Sequence, residues 1–413
     1  MKVLFLVTRF PVPPWRGDQL RAYHHLRLLA PRHEITCAAL VTRPPPAEAV
    51  RALAALGVRV EVVRLGLAGA VPSLARALVG DPRPLQVLLY ARRRARARVA
   101  ALAARADLVH AQLVRAATYL PAGPRPAAVV DLVDALSASL ARRAARQRGV
   151  LGLIAAAEAA RLLRYENELV RRGLTCLVVA ESERAPLEGR EAVRVVPNGV
   201  DLAAFAYVED GRPAARLVFA GNLGYFPNVD AATFLVRDVL PRVRAAVPGA
   251  ELRLVGARPA RRVRALAGAA GVSLAASVPA IAPELAAATV AVVPLRAGSG
   301  LQNKVLEAMA AGTPVVATPR AVAGLALGAA GEEVLVADDA AGLAAAAVAL
   351  LRDPARARAQ ARAARALVER RYRWGDSAAG VEAAWQAAVE VASRRTHEGA
   401  EGEELCGRRS GRF

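Results

Sequence analysis

Short apolar runs alternate with stretches of helical periodicity along most of the chain. The first apolar runs cover residues 3–8, 35–41 and 58–65, and helical patterns at 19–29 and 47–56 separate them. Continuous apolar runs are typical of strands that are covered on both faces of a parallel sheet. A strand–helix–strand order also implies right-handed crossovers. The alternation therefore predicts an α/β fold built on parallel sheets.

The strand–helix series starts a second time after residue 200. A chain of 413 residues is too long for one ordinary core and fits two domains of about 200 residues each. We therefore predict two Rossmann-like domains that face an interdomain cleft, with a C-terminal helix that packs back on the first domain. The predicted segments are an N-terminal domain at 1–198, a C-terminal domain at 199–375, a crossover helix at 376–393 and a disordered tail at 394–413.

The formal net charge of +21 suits anionic partners such as nucleic acid, phosphorylated ligands or an acidic membrane surface. Many of the arginines stand among alanines on predicted helices, as at residues 92–98 and 142–148. Plain solvated helix faces explain the same charge equally well.

The cysteines and the apolar runs indicate in which compartment of the cell the protein is expected. Three widely separated cysteines, Cys37, Cys176 and Cys406, argue against a disulfide framework and a zinc site, which fits a reducing cytosol. No apolar run approaches the ~18–20 residues that span a bilayer. The apolar start at residues 3–7 is shorter than a signal-peptide core and is better interpreted as a buried strand.

The most informative segment covers residues 294–318, which follow the pattern strand, glycine-rich loop, helix, glycine turn and strand. A glycine-rich loop that enters a helix presents backbone N–H groups and the positive end of the helix dipole to an anion. Gly298 and Gly300 let a diphosphate approach the backbone closely. The pattern predicts a phosphate site, although a glycine-rich loop alone is also consistent with a plain turn.

Charged side chains strengthen this interpretation. Arg296 and Lys304 can neutralise a diphosphate. Glu307 lies one helical turn beyond Lys304, where a carboxylate can accept hydrogen bonds from two ribose hydroxyls.

In four segments the sequence resembles the family-4-type GT-B glycosyltransferases. Residues 294–318 resemble their donor-binding signature, which carries two Glu residues separated by seven others and then Ala-Met-Ala-x-Gly-x-Pro-Val-Val. Residues 195–201 (Val-Val-Pro-Asn-Gly-Val-Asp) resemble the interdomain signature. Residues 219–231 resemble the first strand and loop of the C-terminal domain, and residues 8–18 the N-terminal glycine loop.

Further segments resemble a subgroup of bacterial sugar transferases associated with exopolysaccharide loci. They are Arg-Ala-Tyr-His at 21–24, residues 130–137 and residues 163–168. The resemblance implies a GT-B fold with an acceptor-binding first domain and a second domain that binds a nucleotide-diphosphate sugar. It also implies retaining transfer to a saccharide or lipid-linked saccharide, without a metal or other cofactor. The implied donor-binding residues are Gly17, Gly221, Asn222, Arg296, Gly298, Ser299, Gly300, Leu301, Lys304 and Glu307.

The chain departs from the family pattern at several positions. The first Glu of the pair falls at Ser299, and a hydroxyl cannot replace a carboxylate that contacts the donor sugar. The usual Arg and Lys after the first strand of the second domain align with Asn222 and Pro227. Gln112 stands where a catalytic-site His is common, and Gln cannot act as a general base. We interpret these changes as a variant donor site.

Three residues of the first domain are our catalytic candidates: Asp18, Asp134 and Gln112. Open α/β sheets place ligands at the ends of strands and in the loops that follow. Asp18 is in the loop expected to face the diphosphate, and Asp134 could accept the proton of an acceptor hydroxyl. Gln112 could bind a sugar hydroxyl. Helix capping is the alternative role for both aspartates, and His110 is interpreted as a core residue.

Other function classes stay open from the sequence alone. A transferase-like protein that binds nucleotide-sugars without turnover is favoured by Ser299, and an epimerase on the same fold is disfavoured by Ser299 and Gln112. A nucleic-acid-binding protein is suggested by charge only, with no recognisable binding motif. We predict a cytoplasmic enzyme, with peripheral contact to the anionic inner face of the cell membrane as a further hypothesis.

Overall fold

The computed structural model describes residues 1–66, 70–78, 80–123, 126–145, 149–213, 215–298, 300–328 and 331–410. They form two compact units. The first comprises Met1–Val196 together with the chain from Ala378 onwards, and the second comprises Pro197–Ser377. The boundary between the units therefore lies two residues before the predicted one, and the chain returns to the first unit at 378 rather than 376.

Within the described residues, the first unit contains a seven-stranded sheet whose paired strands are all parallel. Its strands are β1 (Lys2–Val7), β2 (Glu34–Val41), β3 (Arg59–Arg64), β4 (Leu108–Gln112), β5 (Ala127–Val133), β6 (Thr175–Val178) and β7 (Val193–Val195). Their order across the sheet is β3-β2-β1-β4-β5-β6-β7. β1 is buried from Val3 to Val7, as its continuous apolar run predicts.

Helices connect these strands and cover the sheet. They are α1 (Gly17–Leu29), α2 (Ala47–Ala54), α3 (Ala70–Leu78), α4 (Leu85–Tyr90), α5 (Arg93–Ala103), α6 (Leu136–Ala144), α7 (Val150–Arg171) and α8 (Glu181–Arg184). The sequence predicts one helical stretch at 137–172, whereas the structure has two helices there. Gly149 precedes α7 with a positive φ of 77°, a conformation that interrupts a right-handed helix and that glycine adopts readily.

The second unit contains a six-stranded parallel sheet in its described residues. Its strands are β8 (Arg216–Ala220), β9 (Glu251–Gly256), β10 (Val272–Ala276), β11 (Val290–Val293), β12 (Val315–Ala317) and β13 (Leu335–Val336), in the order β10-β9-β8-β11-β12-β13. Its helices are α9 (Phe226–Phe234), α10 (Leu240–Ala246), α11 (Arg261–Leu266), α12 (Ala282–Ala286), α13 (Asn303–Ala310), α14 (Pro319–Val322), α15 (Ala340–Arg352) and α16 (Pro354–Arg371).

The last helix, α17 (Trp374–Ser410), returns to the first unit. Its residues Ala378, Val381, Ala384 and Trp385 lie in the same buried cluster as Phe5 of β1. The prediction that a C-terminal helix packs on the N-terminal domain is confirmed.

Helix α17 extends farther than the sequence predicts. It runs through most of the segment that was expected to be a disordered tail, and the final residues, 411–413, lie outside the described chain. Its Ala, Glu and Arg content favours helix over the whole length, which outweighs the glycines in the last turns.

Candidate functional site

Each of the two sheets has a switch point, where the strand order reverses, and the candidate residues of each unit lie in the loops at its own switch point. In the second unit the strands β8 and β11 are neighbours, with β9 beyond one of them and β12 beyond the other. The loops that leave such a pair diverge, which opens a crevice at the carboxyl ends of the strands. The loop after β8 carries Gly221 and Asn222, and the loop after β11 leads into α13.

The loop between β11 and α13 requires glycine at two positions. Gly298 has a φ of 121° and Gly300 a φ of 69°. Residues other than glycine rarely adopt such positive φ angles. Leu301 is buried and anchors the end of the loop. Ser299 lies outside the described residues, so its predicted contact with the donor sugar stays a prediction.

Helix α13 begins at Asn303, directly after this loop. The side chain of Gln302, at the N-cap position, forms no capping hydrogen bond. The Asn303 side chain accepts a hydrogen bond of 3.2 Å from Asn198 of the predicted interdomain signature. The Gln302 side chain thus leaves the first-turn amides uncapped, and uncapped amides together with the helix dipole favour an anion.

Lys304 and Glu307 lie half-buried on this helix. Burial lowers the pKa of Lys304 to about 8, against the opposing charge of Glu307. Burial also raises the pKa of Glu307 to about 7, and Lys304 opposes that shift. At neutral pH Lys304 is therefore still mostly charged, and Glu307 is about half ionised. An anion that binds beside Lys304 would raise the pKa of Lys304 again.

Asn228 is a site residue that sequence reasoning missed. Its Oδ1 atom accepts a hydrogen bond of 3.0 Å from Lys304 Nζ, and its Nδ2 atom donates to the Asn222 carbonyl at 2.9 Å. A Cβ atom on Gly221 would lie 3.1 Å from Lys304 Cε and 3.0 Å from Asn228 Nδ2. Gly221 therefore provides the space in which Lys304 and Asn228 meet.

Arg296 forms a two-point ion pair with Asp230 of α9. Its Nε and Nη2 atoms lie 3.0 and 2.6 Å from the two carboxylate oxygens. The guanidinium also lies 4.4 Å from the centre of the Phe234 ring, a cation–π distance. Its contact with a diphosphate stays a prediction, and such a contact would compete with Asp230.

The equivalent point of the first unit lies between β1 and β4. Helix α1 begins at Gly17, so Asp18 belongs to its first turn, and its carboxylate accepts a hydrogen bond of 2.7 Å from Arg9. The N-cap position is held by Arg16. The N-cap interpretation of Asp18 is therefore wrong, because the helix starts one residue before it.

Gln112 ends β4 as a buried side chain. Its Nε2 atom donates a hydrogen bond of 3.0 Å to the main-chain oxygen of Asp18. Nearby, Arg115 Nε donates to Thr8 Oγ1 at 2.8 Å. The first bond holds the start of α1 against the end of β4, and the second joins the segments that follow β1 and β4. A contact of Gln112 with a sugar hydroxyl stays a prediction.

Asp134 follows β5 and has an unusual electrostatic environment. Burial raises its pKa to about 7, the charges of Glu183 and Asp18 add to this shift, and Arg21 and Arg142 oppose it. Among the described residues, no hydrogen bond or ion pair reaches its carboxylate. A half-buried carboxylate that is half-ionised near neutral pH has the proton affinity of a general base.

The amides at the start of α6 are capped by glutamates, not by Asp134. The N–H of Ala135 donates to Glu183 at 2.9 Å, and the N–H of Ser137 donates to Glu166 at 3.3 Å. The capping role considered for Asp134 is thus filled by two residues from α7 and α8.

A buried polar network beneath the first-unit loops was also missed. Arg21 Nε donates to Asp131 Oδ2 at 2.6 Å and Arg21 Nη1 to the Val196 carbonyl at 2.9 Å. His110 Nδ1 accepts a hydrogen bond of 3.0 Å from the Trp385 indole. Burial lowers the pKa of His110 to about 4, although Asp131 opposes the shift. His110 is fully buried, so the interpretation of a core residue is confirmed.

The described residues contain no group of three or more His, Cys, Asp or Glu residues placed to hold a metal ion. Within the same residues, none of the helices combines the length and the apolar character needed to cross a membrane.

Residues 214–353, which contain the loop, α13 and Asn228, match the family model described as Glycosyl transferases group 1. A search of curated proteins gives no match.

Solved structures match over nearly the whole chain. Anabaena HepE in complex with UDP and glucose has 16% identity and a TM-score of 0.63, over 95% of this chain and 99% of that chain. Sucrose-phosphate synthase from Thermosynechococcus elongatus has 17% identity and a TM-score of 0.64, over 94% and 99%. WaaG, a glycosyltransferase involved in lipopolysaccharide biosynthesis, has 16% identity and a TM-score of 0.62, over 89% and 95%. The chain has the GT-B fold, and residues 214–353 are similar to the group 1 glycosyltransferase domain.

Proposed function

We propose that the protein is a retaining glycosyltransferase. It moves a sugar from a nucleotide-diphosphate sugar to a saccharide or lipid-linked saccharide, in the synthesis of a polysaccharide or exopolysaccharide, and it needs no metal. The observation that carries this proposal is the glycine loop that leads into α13, with Lys304 and Glu307 behind it, within the segment that matches the group 1 model.

The chemistry of this loop fits a nucleoside diphosphate. The amides at the start of α13 and the Lys304 ammonium are donors for diphosphate oxygens, and the glycines let those oxygens approach the backbone. Glu307 supplies a carboxylate for the two ribose hydroxyls. In the proposed reaction the same donors stabilise the charge that develops on the leaving diphosphate, which takes the place of a metal ion.

Asp134 is the proposed base for the acceptor hydroxyl. Its raised pKa and its lack of a hydrogen-bond partner among the described residues suit a group that accepts a proton near neutral pH. Asp18 is proposed to orient the substrate through its first-turn position on α1. Retention of the anomeric configuration is proposed from the family resemblance, and proton NMR of the first product formed tests it.

The structural neighbours support a nucleotide-sugar donor. HepE was solved with UDP and glucose, and also with UDP-glucose. WaaG acts in lipopolysaccharide biosynthesis. These neighbours support a UDP-sugar as the first donor to test and a cell-surface glycan as the product. We further propose a cytoplasmic enzyme that contacts the inner face of the cell membrane.

A thermal-shift screen tests the donor site first. UDP-, GDP-, ADP- and dTDP-sugars are added with and without EDTA. A ligand at 100 times its dissociation constant should stabilise the folded protein by about 2.7 kcal/mol. We expect one nucleotide series to raise the melting temperature equally in both conditions. A shift that EDTA abolishes would overturn metal independence, and no shift with any donor would overturn the donor site.

The second candidate is a GT-B protein that binds a nucleotide-sugar without turnover. Serine at position 299, where the family has Glu, favours it. Tight donor binding without hydrolysis or transfer to any cell-wall or lipid extract would support this candidate over the enzyme. A nucleic-acid-binding role would instead give salt-dependent binding of oligonucleotides and no response to nucleotide-sugars.

A further inference from the structure

Arg115 of the first unit is a buried arginine without an acidic partner. It lies in the loop after β4, at the switch point between β1 and β4, and only 9% of the residue is exposed. Among the described residues, no carboxylate forms an ion pair or a hydrogen bond with its guanidinium. A buried cation without a counter-charge costs free energy of folding, so this arginine serves something other than stability.

Neutral groups hold the guanidinium in place. Its Nε atom donates to Thr8 Oγ1 at 2.8 Å, its Nη1 atom lies 3.5 Å from Gln86 Oε1, and its central carbon lies 5.2 Å from the centre of the Tyr90 ring. The third nitrogen, Nη2, forms no hydrogen bond with the described chain and is not fully buried. The charge is therefore fixed in position, and one of its donors is left for a ligand.

Further positive charge surrounds this arginine. Burial lowers the pKa of Arg115, and the charges of Arg9 and Arg16 lower it further. Asp18 opposes the shift, but its carboxylate already pairs with Arg9 at 2.7 Å. Three guanidinium groups and one carboxylate leave an excess of two positive charges. Such an excess at a switch point, where α/β sheets place their ligands, favours an anion.

The same region presents an aromatic ring to solvent. Trp15 lies in the loop between β1 and α1, directly before Arg16, and is 53% exposed. An indole offers an apolar face of partial negative charge, against which the C–H groups of a sugar ring can pack. A sugar that carries an anionic group satisfies both features, because its ring matches the indole and its charge matches the guanidinium.

A nucleic acid fits these features less well. Its phosphates bind through many contacts with arginines and lysines along an extended backbone. Arg115 is buried, so a small charged group at the end of a ligand reaches it more easily than a polynucleotide backbone does.

We propose that Arg115 binds the negatively charged group of an anionic saccharide, with Trp15 packed on its sugar ring. The charged group is a carboxylate or a phosphate ester, which share the oxygens that a guanidinium recognises. The catalytic candidates Asp18 and Gln112 belong to the elements that follow and end the same two strands. That this saccharide is the acceptor rests on the proposed function, whereas its binding does not.

Titration calorimetry with small sugars tests the subsite. Methyl glucuronide and glucose 6-phosphate are the anionic probes, and methyl glucoside is the neutral probe with the same ring. The wild type should bind one of the anionic sugars at least about tenfold more tightly than methyl glucoside, as a charge-assisted hydrogen bond requires. The better of the two identifies the group as a carboxylate or a phosphate. No donor is present, so a failure of the donor site would leave this result unaffected.

Three variants locate the effect. Arg115→Gln should abolish the preference for the anionic sugar and keep the fold, because it removes a buried charge that has no partner. Arg43→Gln is the matched control and should keep the preference, because Arg43 is exposed after β2, away from the switch point. Trp15→Ala should weaken the charged and the neutral sugar alike, by about threefold, and leave their ratio unchanged.

Several results would overturn the proposal. They are equal affinity of the wild type for charged and neutral sugars, and a preference that persists in Arg115→Gln, or in Arg115→Lys should the first variant not fold. Inorganic phosphate that binds as tightly as the anionic sugars would show that no sugar ring is recognised. A loss of UDP affinity in Arg115→Gln would assign the guanidinium to the donor diphosphate. Oligonucleotide binding that depends on Arg115 and exceeds that of the sugars would assign it to nucleic acid.

Discussion

The two loop regions at the sheet switch points have the same topology but are held in opposite ways. In the second unit, the loop after β11 is shaped by its own glycines and by the helix that it enters. In the first unit, side chains from distant parts of the chain fix the loops, such as Arg21 on Asp131 and Gln112 on Asp18. The first arrangement is a local backbone motif, and the second is a set of long-range pairs. They should therefore fail in different ways when mutated.

The largest effect is expected from breaking the buried pair of the first unit. The side chains of Arg21 and Asp131 are both fully buried. Asp131→Ala leaves an uncompensated buried guanidinium, which should lower the free energy of unfolding of this unit by about 3–5 kcal/mol. Urea denaturation followed by tryptophan fluorescence measures it, since Trp385 belongs to the same network. Asp230→Ala breaks the partly exposed pair of the second unit and should cost less than about 1 kcal/mol. Equal losses of unfolding free energy in Asp131→Ala and Asp230→Ala would contradict the difference between the two units.

The second effect concerns the candidate base. Asp134→Asn should lower the transfer rate by about 10²- to 10⁴-fold, the usual contribution of a general base. The wild-type rate should rise with pH through about 7, as the carboxyl group ionises. A variant with an unchanged rate or an unchanged pH profile would exclude Asp134 as the base. Asp18→Asn should lower the rate less than Asp134→Asn does, because the Asp18 carboxylate is held by Arg9. It should also move the midpoint of the pH profile to lower pH, because the charge of Asp18 raises the pKa of Asp134.

The same carboxyl group gives a stability test with a definite sign. Its folded-state pKa, about 7, lies above the unfolded value near 3.8, so the folded protein retains the proton over that interval. The stability that Asp134 contributes should therefore be present below about pH 4 and be lost as the pH rises to about 7. Glu166 and Glu307 also have raised pKa values and contribute to the pH dependence of stability. The difference in unfolding free energy between wild type and Asp134→Asn at each pH isolates the contribution of Asp134.

The third effect lies in the backbone-built site. Glu307→Ala should weaken donor binding by more than tenfold, in line with about 1.5–3 kcal/mol for a charge-assisted hydrogen bond. The stability should change little, because the folding of the loop depends on Gly298 and Gly300. Titration calorimetry with the donor found in the screen measures the affinity. Glu307→Gln keeps the size of the side chain and should fall between wild type and Glu307→Ala. Unchanged affinity in Glu307→Ala would place the ribose elsewhere.

This contrast also explains how much could be predicted from the sequence. The parallel strands and the glycine loop were predictable because their signals are local: apolar runs, and glycines at the start of a helix. The Arg21–Asp131 pair joins residues 110 positions apart, and the local sequence around either residue does not indicate the other. Asn228 was missed for the same reason, since it meets Lys304 across 76 positions.

The smallest effect decides what Arg296 does. Its ion pair with Asp230 is partly exposed, so Arg296→Gln should change the free energy of unfolding by less than about 1 kcal/mol. If Arg296 binds the diphosphate, it must exchange Asp230 for phosphate oxygens. Asp230→Asn then removes the competitor and should tighten donor binding, while Arg296→Gln should weaken it. If both variants bind the donor as tightly as the wild type does, Arg296 only connects its loop to α9. The diphosphate would then depend on Lys304 and the amides of α13 alone.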